Sequence, residues 1–111
     1  MSRNKNDIQT SDRKQELMAA LDGKADTGML NEFITHVVFL EEKLAQLREL
    51  PFVQVNPNKP AQQRATPAAR LYTQLAAQYT GATRVMLSLT NGDGDYGESL
   101  LRKWVKEHVD S

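Results

Sequence analysis

Two histidines, fourteen acids and no cysteine are the groups from which an active site or a metal centre would have to be built. The absence of cysteine excludes a disulfide framework, thiol catalysis and cysteine-ligated zinc. His36 lies among apolar residues with neither an acid nor a second histidine four positions on, and His108 lies near the C-terminus, so the pair does not spell a metal or catalytic set. The run NGDGDYG, Asn91–Gly97, has the acids of a calcium loop. Counted from Asn91, Asp93 and Asp95 fall at positions three and five, but position six is Tyr96 and position twelve Arg102. The glycine and the bidentate glutamate that such a loop requires are both missing, which leaves a flexible turn. Glu41 and Glu42 are neighbours on a helix and cannot face each other. Serines fall in caps, turns or helix interior (Ser88), and no strand is read that a glycine-rich phosphate loop could follow. The residues therefore predict a non-enzymatic protein with no cofactor and no metal.

The elements that would position any binding surface are helical. From Gly28 to Leu50, Leu30, Val37 and Leu44 recur every seven residues, and Phe33, Leu40 and Leu47 repeat the spacing three residues later. These are the a and d positions of a heptad, with Ile34 and Val38 widening the stripe in the N-terminal half. At ~1.5 Å per residue the helix runs roughly 35 Å and is stable only when packed. Asp26 or Thr27 caps it and Pro51 ends it. A second helix is predicted over 67–90, with Thr66 as N-cap and Pro67 in its first turn. Ala68, Tyr72, Leu75, Tyr79, Ala82, Met86 and Leu89 form its seam, while Leu71, Val85 and Leu87 lie off it. Gly81 inside this helix costs ~1 kcal/mol relative to alanine and, beside Ala82, permits close helix approach. Tyrosines at such spacing belong to a core more often than to a base-stacking surface.

Between the two seams, PFVQVNPNKPAQQRAT, 51–66, holds three prolines and reads as an extended linker pinned by Phe52, Val53 and Val55. The first ten residues are polar and predicted disordered; Ser11 is placed to cap a short helix over about 12–21 carrying Leu17, Met18 and Leu21, with Gly23 as its stop. A final amphipathic helix over about 98–109 places Leu101, Trp104, Val105 and His108 on one side, either capping the hairpin or docking a partner; Leu101, Trp104 and Val105 are the candidate docking residues. The fold expected is all-α: one domain over 11–111, a long antiparallel helical hairpin with short terminal helices. Its seam residues Leu30, Phe33, Val37, Leu40, Leu44, Leu47, Tyr72, Leu75, Tyr79, Met86 and Leu89 serve as core or oligomer contacts. Self-association through them is expected because two or three long helices bury little surface alone.

Formal charge is zero but unevenly spread. From Asp26 to Glu49, five acids face Lys43 and Arg48; from Leu50 to Thr90 there is no acid, while Lys59, Arg64, Arg70 and Arg84 are basic. Matching of an acidic helix against a basic one explains this more readily than a dedicated nucleic-acid face does, since four bases spread over forty residues are a weak footprint for DNA. No apolar run reaches the ~20 residues of a membrane span, and the N-terminus lacks a signal-peptide core, so a cytoplasmic protein is expected.

Phe39-Leu40-Glu41-Glu42-Lys43-Leu44, Leu50-Pro51-Phe52, Asn56-Pro57, Gln63-Arg64-Ala65-Thr66-Pro67-Ala68, then Tyr72, Leu75 and Gln78-Tyr79 form an ordered set of marks over somewhat more than a third of the chain. In these it resembles short phage proteins of the small terminase subunit class. The resemblance implies a mostly helical, ring-forming subunit in the host cytoplasm that recognises viral DNA at the start of packaging and regulates the large terminase subunit. Many small terminases carry an N-terminal helix-turn-helix, for which Met1–Asp22 is too short. Candidate contacts to duplex DNA are therefore Lys59, Arg64, Arg70 and Arg84, with Arg3, Lys5, Arg13 and Lys14 as a second set. The alternative is a structural or adaptor helical protein that engages a protein partner without DNA.

Overall fold

The computed structural model describes residues 5–92 and 94–109, and for residues 5–11 the backbone alone. The elements run α1 (Lys5–Ala20), α2 (Thr27–Arg48), β1 (Val53–Asn56), β2 (Lys59–Ala65), α3 (Pro67–Thr90) and α4 (Asp95–His108). The molecule is mostly helical, but the expectation of an all-α fold is corrected by the antiparallel β1–β2 pair, which occupies the segment read as an extended linker. Two boundaries also move. The first helix begins at Lys5, so residues 5–10 are helical where a disordered tail was expected, and Ser11 lies inside the helix instead of capping it; residues 1–4 lie outside the described residues. Serine and aspartate in a helix interior cost at most ~0.7 kcal/mol each, too little to impose a start. α4 begins at Asp95 because Asp95 and Glu98 sit in its first turn, where the helix dipole favours acids, so the turn before it is shorter than expected.

The long helices are held at their ends by side chains. Asp26 caps α2, its Oδ2 accepting the Met29 N–H at 3.0 Å. Thr66 caps α3, its Oγ1 accepting from the Ala69 N–H at 3.1 Å, with Pro67 in the first turn. Gly23 and Gly92 take positive φ (76° and 75°) in the turns that follow α1 and α3.

α2 is the helix on which the other three helices pack. It buries Leu30, Phe33, Ile34, Val37, Val38 and Leu40 against Leu17 of α1 and Leu21 just beyond it, Ala82, Val85 and Leu89 of α3, and Leu101, Trp104 and Val105 of α4, and it buries Leu44 and Leu47 further along. The first seam is thus filled within one chain. The second is filled differently from its heptad: Val85 is in the core, while Tyr72, Leu75, Tyr79 and Met86 are only half-buried. α3 packs against α4 as well as α2, and the second neighbour turns its buried face toward Val85. Leu101, Trp104 and Val105 are core residues, which corrects their reading as a docking face. Trp104 packs edge-on to Phe33 with ring centroids 4.9 Å apart, and burial of an indole removes ~200 Å² from water, about 5 kcal/mol before ordering costs.

One polar contact joins three helices. Arg13 donates to Glu41 through Nε (3.0 Å to Oε1) and a terminal nitrogen (3.0 Å to Oε2), and the Tyr79 hydroxyl donates to Oε2 at 2.6 Å. Burial pushes the Glu41 carboxyl up, but the hydrogen bonds from Arg13 and Tyr79 and the Arg13 charge outweigh it and hold it below the usual range. The Glu41 hydrogen bond raises the Arg13 guanidinium against its burial; burial first, then Glu41, raises Tyr79. Further along, His36 and His108 lie on either side of Trp104, at centroid distances of 5.3 and 4.8 Å. Burial lowers the His36 pKa below 6.5, the nearby Gln78 amide opposes this, and His108 adds to it.

Both shifts are depressions, so both groups contribute stability that is present at high pH and lost on acidification. Thermal melts against pH should fall in two stages. The first begins below the unfolded histidine value near 6.5 and should vanish in His36→Gln; the second begins below about 4.5 and should vanish in Glu41→Gln.

Two helical glycines make opposite predictions. A Cβ at Gly97 would lie 3.3 Å from the Leu89 nitrogen and 3.3 Å from the Ser88 carbonyl carbon, so α4 and α3 meet backbone to backbone there. A Cβ at Gly81 would lie 3.5 Å from Trp104 Nε1, an ordinary contact, so the close approach expected at Gly81 occurs at Gly97 instead. Gly97→Ala should cost about 1–3 kcal/mol through overpacking, and Gly81→Ala should be neutral or stabilising by up to ~1 kcal/mol; chemical denaturation of both variants checks the contrast.

Candidate nucleic-acid interface

β1 and β2 form because Val53-Gln54-Val55-Asn56 alternates and the two-residue Pro57-Asn58 connection turns the chain back on itself. The Asn56 Oδ1 accepts the Asn58 N–H at 2.9 Å, fixing the turn. Val53 pairs with Ala65, Gln54 with Arg64, Val55 with Gln63 and Asn56 with Lys59, with an irregularity between Val55 and Asn56. Directly paired residues share a face, so the ribbon is two-sided. Gln54, Asn56, Gln62 and Arg64 line a cleft of ≈ 300 Å³ on one side, which Val55 and Pro57 also border, and the Asn56 amide donates to Gln62 Oε1 at 3.2 Å. Val53 and Val55 lie on the other, each about half exposed.

The ribbon is clamped at its neck. The Thr66 N–H donates to the Phe52 carbonyl at 3.1 Å and the Thr66 hydroxyl donates to the Pro51 carbonyl at 2.7 Å. The same hydroxyl accepts from Ala69, so one oxygen both closes the ribbon and starts α3. Below it, Phe52 rests on Tyr72 at 5.2 Å between centroids, and Arg48 Nε donates to the Tyr72 hydroxyl at 3.1 Å. Glu41 meets Tyr79 and Arg48 meets Tyr72, so positions rise along α2 as they fall along α3, and the ribbon stands at the far tip of this antiparallel pair.

The proposed bases are only partly brought together. Lys59 and Arg64 lie on β2 and Arg70 on the first turn of α3, all exposed; with Arg48 they face a single acid, Glu49, over 48–90 apart from Arg84. Arg84 is fourteen residues beyond Arg70, about 21 Å along α3, and lines a different groove. Arg13 is held by Glu41 and Glu16, with the shorter nitrogen-to-oxygen distances 3.0 and 3.2 Å, which removes it from the second set; Arg3 lies outside the described residues, as does the side chain of Lys5. Lys14 is half-buried. Among the described residues no group of three or more histidines, cysteines or acids could hold a metal, and no helix is long and apolar enough to cross a membrane.

What the sequence did not reveal is the ribbon itself and the polar face it creates from Gln54, Asn56 and Gln62. The signal was present in Val53-Gln54-Val55-Asn56 followed by Pro-Asn, but Pro60 and the low strand preference of Ala-Gln-Gln-Arg obscured the second strand. Comparison with protein-family models, with curated proteins and with solved structures finds no match.

Since Thr66 serves two bonds, Thr66→Ala should cost about 1–2 kcal/mol and loosen the ribbon, whereas Thr66→Ser should keep both. Amide exchange at Val53, Val55 and Gln63, faster in the alanine variant alone, reads the effect.

Proposed function

We propose that the chain is a non-catalytic, small terminase-like subunit of a homo-oligomer, which binds duplex DNA through the ribbon at the tip of the α2–α3 hairpin and regulates a large terminase subunit. The observation that carries this reading is the ribbon: a two-stranded element with Lys59, Arg64 and Arg70 on and beside it, no acid from Leu50 to Thr90, and a face of Gln54, Asn56, Gln62 and Arg64. The major groove of B-DNA admits a two-stranded β-ribbon, and arginine, asparagine and glutamine are the side chains best matched to guanine and adenine edges there. Exposed Val53 and Val55 on the opposite face, with Leu50 and Leu71 also exposed, supply apolar surface for a second copy. Oligomer contact falls to these residues, because the α2 seam is already occupied.

Binding of a labelled duplex, followed by anisotropy at increasing salt, tests the reading. Affinity should fall steeply with salt, and Arg64→Glu with Arg70→Glu should abolish binding at 50–100 mM salt while leaving the melt within a few degrees of the parent. Light scattering behind size exclusion, run with and without the duplex, should show an assembly that shifts with DNA. A monomer indifferent to DNA would instead favour the adaptor reading, for which the apolar groove between α3 and α4 is the supporting observation.

A further inference from the structure

The groove between α3 and α4, at the end of the molecule away from the ribbon, has three features that the fold does not require. Leu87 and Tyr96 stand open on it, 58% and 63% exposed, beside half-buried Leu100. Gly81 lies in its wall, in the middle of a helix where alanine would both fit at ordinary contact distance and favour the helix. Trp104 also lines it, and the indole N–H, nearest to Gly81, has no acceptor among the described residues although the residue is only 5% exposed. The indole nitrogen itself is shut off from solvent, so what an occupant meets on this wall is the Gly81 backbone and the open Leu87 and Tyr96 side chains. The charged groups on the groove are Arg84 and Lys103 against Glu107, with His108 beside them, so its surplus is positive.

We propose that this groove, of ≈ 520 Å³ and open along its length, docks an acidic amphipathic helix of a partner protein. Apolar side chains at helical spacing enter over Leu87, Tyr96 and Leu100, carboxylates pair with Arg84 and Lys103, and the occupant's closest approach is at Gly81 over the indole. The argument uses no residue of the ribbon and stands whether or not the chain binds DNA. Charge selects the occupant: Arg84 and Lys103 outnumber Glu107 on the groove, so an acidic helix is favoured over a basic one.

Trp104 is the only tryptophan, so its emission reports occupancy directly. The probe is a 16-residue synthetic helix with leucine at i, i+3, i+4 and i+7 and glutamate elsewhere, set against a twin with lysine in place of every glutamate. Titrated into the full chain at low salt, the glutamate peptide should shift Trp104 emission saturably and bind at least about tenfold tighter than the twin. Arg84→Glu with Lys103→Glu should reverse that order. Gly81→Ala, which should melt no lower than the parent, should weaken the glutamate peptide severalfold. No saturable shift with the glutamate peptide, equal binding of the two peptides, or an order unchanged by the double substitution would each overturn the proposal. Self-association abolished by Leu87→Lys would assign the groove to a second copy and would overturn it too.

Discussion

The constraint behind the whole structure is that α2 has too much apolar surface for any one neighbour to cover. Phe33, Ile34, Val37 and Leu40 are fully buried, and Val38 nearly so, which makes the N-terminal half of the helix apolar around nearly half its circumference. A second helix covers only one stripe of such a surface. The chain therefore brings α1 and α4 to that half, and α3 runs along the full length. Toward the C-terminus the apolar stripe narrows to Leu44 and Leu47, and α3 is its principal cover. The molecule is thick at one end and slender at the other, with extents of 58 × 41 × 25 Å, and the β-ribbon extends from the slender end.

The charged interruption of this arrangement is Glu41, where the wide half of α2 gives way to the narrow half. A carboxylate leaving water needs compensation, and here it receives a forked guanidinium from α1 and a hydroxyl from α3. Arg13 and Tyr79 are thereby fixed in register with α2, which apolar packing alone specifies less sharply. A pair this exposed adds modestly to stability, because solvent screens it. Its larger effect is directional, since an Arg13 or Tyr79 displaced by one residue would leave Glu41 without its partners.

Most of the helical framework was legible in the sequence because its signals are local. Asp26, Thr66-Pro67, Pro51 and the a and d positions of α2 each act within a turn or two, and each appears where the spacing placed it. What was not legible depends on partners distant in the chain. Val85 displaces Met86 from the core only because α4 arrives on that side, and Leu101, Trp104 and Val105 look like a docking face until their own chain is seen to cover them. The ribbon required pairing of two weak strands, one containing Pro60. The lack of acid from Leu50 to Thr90 was plain, but its division between a ribbon end and a groove end was not, since Arg70 and Arg84 are separated only once α3 is known to be straight and unbroken.

That division bears on how the two candidate surfaces relate. α3 carries the neck of the ribbon at Thr66 and Tyr72 and the wall of the groove at Gly81 and Leu87, so one helix connects them. Connection by a helix is not coupling: coupling needs an element with two arrangements that both ligands bias. The segment of α3 between the two surfaces is pinned to α2 by Tyr79 and to the core by Ala82, and nothing there offers a second packing. Perturbations at the two ends should therefore combine additively, as they do for sites well over 10 Å apart with no shared partners. The two proposed surfaces are thus related by geometry alone, with α2 and α3 setting the distance between them.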